Sequence, residues 1–164
     1  MATLDLSLRI ATRDDVAAVD RLLSRSYPRL LKADYPPSVM VTAVPLIARA
    51  RPHLVASGRY YVAEAAGRGV IGAGGWSLGD RARGAAEVRH LATDPDFLRN
   101  GVAARIVAAI LDAARAEGME RIGCLSTRTA VPFYTAAGFR VLGAVEVVIT
   151  PGIAFPAVRM SRPL

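Results

Sequence analysis

The chain has 164 residues, 52% of them hydrophobic and 21% charged, which suits one folded domain over 1–164 with a sizeable core and excludes disorder. Its net charge of +7 rests almost wholly on arginine, with Lys32 the sole lysine, and such a balance favours a polyanionic partner, either nucleic acid or a nucleotide's phosphates. The arginines are scattered, few aromatics lie between them and no recognition-helix pattern occurs, so nucleic acid is disfavoured; no apolar run reaches the roughly 20 residues of a membrane helix.

Taken in order, the run Met1 to Ile10 carries an early acid and no cationic head, unlike an export signal, and the alternation of Leu6, Leu8 and Ile10 predicts a strand. Thr12 followed by Asp14 and Asp15 predicts a capped helix start, with Val16, Val19, Leu22 and Leu23 on one apolar face and fraying near Ser26-Tyr27-Pro28. Residues 28–58 are punctuated by prolines. A helix is expected from Ser38 to Ala50, with Pro45 kinking it or restarting a turn, and Tyr27, Leu30, Leu31, Tyr35, Met40, Val44, Leu46 and Ile47 read either as a pocket wall or as packing under a long loop. Arg59 to Glu64 and Val70 to Leu78 read as a hairpin turning at Ala66 to Gly69. The G-A-G-G-W run fails as a dinucleotide fingerprint, because Ser77 replaces its third glycine and no helix follows; its glycines instead signal a bulge or a close backbone approach.

A strand beginning at Glu87 breaks at Asp94-Pro95, and strict alternation would place Glu87, Arg89, Leu91 and Thr93 on one face and Val88, His90 and Ala92 on the other. Asn100-Gly101 then opens an apolar-periodic helix through Val102, Ile106, Ile110 and Ala113, closed by Glu117-Gly118. Arg121 to Ser126 is a strand, Thr129 to Ala137 a helix, Phe139 to Ile149 a strand, Pro151-Gly152 a turn and Ile153 to Met160 the last strand. Cys124 is the lone cysteine, which excludes an internal disulfide, fits a reducing cytoplasm and reads as a core thiol; two isolated histidines make no metal-ligand cluster.

A strand, a glycine turn and a helix start present several backbone N–H groups at the positive end of a helix, a site for phosphate. The candidates are the amides of Arg99, Asn100, Gly101, Val102, Ala103 and Ala104. The wording of this stretch, with Leu91, Thr93, Pro95, Gly101 and Ala103 in register, resembles the acyl-CoA-binding motif of the GNAT superfamily of N-acyltransferases, except that Leu98 stands where Gln or Arg is usual, beside Arg99. A-V-P-F-Y-T-A-A-G-F, from Ala130 to Phe139, resembles a second segment of the same family; Thr127, Arg128 and Thr129 replace the Asn that often precedes it.

The resemblance implies an α/β fold, a mixed, mostly antiparallel sheet of about seven strands with helices on both faces, in which the strands flanking the cofactor helix splay apart. It implies acetyl-CoA as cofactor, with main-chain groups of Leu91, Ala92 and Thr93 pairing to the pantetheine arm as to an added strand. The implied activity moves an acetyl group to a primary amine of a small molecule or peptide by direct attack in a ternary complex, with Tyr134 as the acid that protonates the leaving sulfur. Glu87 is the candidate base, with His90 behind it, against the reading of a solvated Glu87–Arg89 charge cluster. A non-catalytic acyl-CoA-binding sensor is the alternative. Some family members pair, so a homodimer stays open.

Overall fold

The computed structural model describes residues 4–164; the start of the N-terminal run read as no export signal, residues 1–3, lies outside them. Seven strands form one sheet in the order β1-β2-β3-β4-β5-β7-β6. They are β1 (Leu6–Ile10), β2 (Tyr60–Ala65), β3 (Gly69–Leu78), β4 (Ala85–Thr93), β5 (Arg121–Ser126), β6 (Arg140–Thr150) and β7 (Ile153–Pro163). Every neighbouring pair is antiparallel except β4 with β5. The helices are α1 (Val16–Leu31), α2 (Pro37–Ile47), α3 (Pro52–Val55), α4 (Val102–Ala116) and α5 (Val131–Ala136). The expected sheet, mixed but mostly antiparallel with helices on both faces, is the observed one.

Each helix face has its own core. Val102, Ile106 and Ile110 of α4 pack with Ala86, Val88, Ile122, Cys124 and Met160 on one side of the sheet. On the other side, Val19, Leu22 and Leu23 of α1 cover Tyr60, Val62, Ala73 and Ala92, while Ala43 and Val44 of α2 meet Phe155 and Ala157. Full burial of a side chain such as Ile106 or Leu23 stabilises by roughly 2–3 kcal/mol.

The helix α1 does not fray at Pro28 but continues to Leu31. Proline removes one helical hydrogen bond, whereas unwinding there would expose Ser26 and Leu31, both buried. The expected helix from Ser38 to Ala50 is shorter, and Pro52 starts the unexpected α3, in which His53 sits. Proline tolerates the first helical turn, so these prolines begin helices as well as end them. Residues 28–58 are therefore largely helical, and no long loop exists for their apolar side chains to lie under.

The sheet is irregular on both edges of β4. Only three rungs join β4 to β5, Ala85↔Arg121, Ala86↔Ile122 and Glu87↔Gly123, and beyond them the strands separate. On the other edge, Ala73 pairs with Ala92 and Gly75 with Arg89, so His90 and Leu91 together oppose Gly74. This is a β-bulge, and His90 takes up the turn with φ of +50°. Strict alternation along β4 is thereby overturned: Val88 and Leu91 both pack toward α4, while Ala92 packs toward α1. The glycines of β3 serve the close approach that their sequence signals, since a Cβ at Gly74 would lie 2.7 Å from Leu91 Cδ1 and 3.1 Å from Ile106 Cγ2.

Candidate functional site

Between β4 and α4 the chain makes a short helical turn, Pro95–Phe97, which Asp94 caps by accepting the Asp96 amide at 2.9 Å. Arg25 of α1 holds this turn through Asp96 (2.6 Å) and Asp94 (3.4 Å). Arg99 and Gly101 then adopt left-handed backbone, with φ of +63° and +75°. The first helical bond runs from the Arg105 amide to the Gly101 carbonyl at 3.0 Å. Ahead of it, the amides of Arg99, Asn100, Gly101, Val102, Ala103 and Ala104 donate to no acceptor among the described residues. These are the unsatisfied donors of a helix start, where the dipole is positive. A Cβ at Gly101 would meet nothing within 4 Å, so glycine is required there by φ and not by the protein's packing.

The amides border a cavity of about 520 Å³ that occupies the gap between β4 and β5. Leu91, Ala92 and Thr93 line it from β4, Leu125, Ser126 and Thr127 from the end of β5, Phe133 and Tyr134 from α5, and Tyr27, Leu30 and Leu31 from α1. Arg99, Gly101, Val102, Ala103 and Ala104 line it as well; Asn100 does not, and its side chain turns back to the Leu98 carbonyl at 3.0 Å. The bulge sets two carbonyls by tyrosine hydroxyls: Tyr60 donates to His90 O at 2.9 Å and Tyr27 to Leu91 O at 3.3 Å. Across the gap, the Tyr35 hydroxyl accepts the Arg128 amide at 2.9 Å and donates to Pro156 O at 2.7 Å. Thr129 Oγ1 donates to Asp34 at 2.6 Å, so the turn after α1 is tied to the loop before α5.

Four titratable groups matter here. Tyr134 is buried between Phe133 and Phe139, each ring edge-on with centroids 5.2 Å away, and its hydroxyl has no hydrogen-bond partner among the described residues. Burial raises its pKa well above the ordinary phenol value. His90 also lines the cavity. Its Nε2 accepts from Arg51 Nε at 3.1 Å, its Nδ1 is buried without a partner, and burial with Arg51 and Arg89 nearby lowers its pKa to about 4. Glu87 lies beside the cavity and is not part of its lining. Its side chain covers Gly123, 3.2 Å from where a Cβ there would be, and stands 3.7 Å from Arg159. Burial pushes the Glu87 carboxyl up, against the pull of Arg159 and Arg89. Cys124 is buried at 1% exposure with its thiol pushed up to about 12, the state of an inert core thiol.

Of the residues that the sequence leaves open between a pocket wall and loop packing, Tyr27, Leu30 and Leu31 line the cavity, while Tyr35, Met40, Val44, Leu46 and Ile47 do not; Ser126 and Thr127, at and just beyond the end of β5, carry no motif that assigns them to it. Sequence reasoning also misses Arg51, whose contact with His90 spans 39 positions and leaves no local pattern.

Comparison with known proteins agrees with this geometry. No curated protein matches the chain. Among solved structures it is similar to a GCN5-related N-acetyltransferase of Rhodopseudomonas palustris, at TM-score 0.79 and 20% identity over 100% of this chain and 99% of that one. It is also similar to the PaiA N-acetyltransferase of Thermoplasma acidophilum, solved in complex with coenzyme A, at TM-score 0.75 and 13% identity over 98% of this chain and 100% of that one. The ribosomal-protein-S18-alanine N-acetyltransferase of Escherichia coli matches at TM-score 0.64 and 16% identity, over 96% and 93%. At these identities the likeness is one of fold. The family model described as the acetyltransferase (GNAT) family matches residues 18–139, well over half the sequence, and the chain belongs to that family.

Proposed function

We propose that this protein is an acetyl-CoA-dependent N-acetyltransferase that acts on a primary amine. One observation carries the reading: the amides from Arg99 to Ala104 lack acceptors among the described residues, and all of these residues except Asn100 border the cavity where β4 and β5 part. That pairing of a phosphate cradle with an open strand edge fits coenzyme A. Its pyrophosphate suits the helix start, and its amide-bearing arm suits the edge of β4 from Leu91 to Thr93.

The bound cofactor supplies a thioester whose acyl carbon is open to attack. The chain positions the amine against that carbon, so that a carbon–nitrogen bond forms as the carbon–sulfur bond breaks. Tyr134 stands in the cavity with a free, protonated hydroxyl and gives its proton to the departing sulfur. Glu87 takes the proton of the amine through a water, because its carboxylate sits beside the cavity wall and not in it. Its raised pKa makes it a better base than an ordinary carboxylate. His90 stays neutral and bonded to Arg51, which suits it to positioning more than to proton uptake.

The test is titration calorimetry with coenzyme A, followed by a screen of amines with acetyl-CoA that reads thiol release. Coenzyme A binding with amine-dependent thiol release is the expected outcome. Absence of binding removes the cradle reading, and binding without turnover of any amine favours a sensor.

A further inference from the structure

The face of the sheet that carries α1, α2 and α3 presents an unusual charge arrangement beside the cavity. Glu87, Gly123 and Leu125 share this face, because Cys124 points into the α4 core and Glu87 pairs with Gly123. Arg159 pairs with Leu125 and so lies on the same face, 3.7 Å from Glu87. Arg89 follows Glu87 by two residues before the bulge and is exposed there, close enough to affect both Glu87 and His90. Arg51 reaches the group from the start of α3, bonded to the cavity-lining His90. Arg51 and Arg89 have no carboxylate partner among the described residues. Arg159 and Arg89 thus flank the Glu87 carboxylate, and Arg51 adds a third guanidinium through His90, the one member of the group that lines the cavity.

Resting on the acetyltransferase reading, we infer that the acceptor is an amine that also carries a carboxylate, held by Arg51, Arg89 and Arg159 while its amino group faces Glu87. A guanidinium matches a carboxylate with two parallel hydrogen bonds, and an excess of unpaired cations repels a polyamine. Glu87, beside Arg89 and Arg159, is the anion that attracts the ammonium end. The carboxylate can belong to a free amino acid or to an acidic peptide that begins with the reacting amine.

The experiment uses the full chain with acetyl-CoA and four acceptors: L-glutamate, a dipeptide amide with an acidic second residue, its neutral counterpart, and spermidine. Thiol release should favour the two carboxylate-bearing amines, and their ratio separates the free from the peptide source. In Arg89→Gln and Arg51→Gln, KM for the preferred amine should rise about 10–100-fold, as for loss of a charged hydrogen bond, with coenzyme A affinity held and kcat changed by less than KM. Equal use of the neutral dipeptide or spermidine overturns the inference, as does an unchanged KM. A loss of coenzyme A affinity equal to the KM effect also overturns it, since the arginines would then serve the cofactor. Binding of N-acetylglutamate and of the acetylated acidic dipeptide to the coenzyme A-loaded protein is measured in parallel. If no amine turns over but either ligand binds in an Arg89-dependent way, the acetyltransferase reading fails and the carboxylate site stands; if neither binds, the inference falls.

Discussion

A methyl group at Gly72 would collide with Cγ1 of Val102, the first residue of α4. The strand β3 thus sets where α4 begins, and with it where the amide cradle points. Val102 is β-branched and buried, so it cannot rotate away, and Ile106 Cδ1 would also stand only 3.2 Å off. Gly72→Ala is expected to destabilise by about 1–3 kcal/mol, the usual cost of overpacking. It should also weaken coenzyme A binding, because the start of α4 must shift. Urea melts and calorimetry on the same sample check both.

Gly101 makes the opposite case. Its Cβ position is open, yet its φ is +75°. Gly101→Ala should cost about 1–2 kcal/mol through backbone strain alone, and Gly101→Asn less, since asparagine tolerates the left-handed region. Thermal unfolding of the two variants should rank them in that order.

Tyr134→Phe keeps the ring edge-on to Phe133 and Phe139 and removes only the hydroxyl, which has no partner to lose among the described residues. Coenzyme A affinity and stability should hold while kcat falls about 100-fold, the low end of what a general acid contributes. A sensor would show no change in its response, so steady-state kinetics beside calorimetry distinguishes the two.

Because burial raises the Glu87 carboxyl, the acid limb of kcat/KM should lie above the ordinary carboxylate range. Glu87→Gln should flatten that limb and lower the plateau. A limb at the same pH in the variant would assign it to another group.

His90 ties acid stability to the same site. Its pKa falls from 6.5 to about 4 on folding, so below about pH 6.5 the unfolded chain takes up a proton that the folded chain refuses. Stability is therefore full above pH 6.5 and lost as pH drops toward 4, by on the order of 2–3 kcal/mol. His90→Gln should lose less stability than the parent between pH 7 and pH 4.5 in paired urea melts.

Much of the fold is legible in residues alone. The strand Arg121–Ser126 follows from its alternation after a glycine-capped helix, and the glycine turn before Val102 announces the cradle. The helix through Pro28 is not legible, since a local rule about proline gives way to burial of Leu31 on a distant core. The bulge at His90 is hidden for a different reason. It arises from pairing with the glycine-rich β3, and nothing in the β4 residues themselves demands it. Tail ends of β7 and the short α5 differ from expectation by a few residues, as helix and strand ends commonly do.

The three rungs between β4 and β5 make the sheet two blades on one short pivot, with β1 to β4 on one blade and β5 to β7 on the other. A ligand lying between the blades would contact both, and so would brace the molecule as well as occupy it. Melting temperature should then climb with coenzyme A concentration by simple mass action. Amide exchange should slow on both blades at once, carrying news of occupancy to strands far from the cradle.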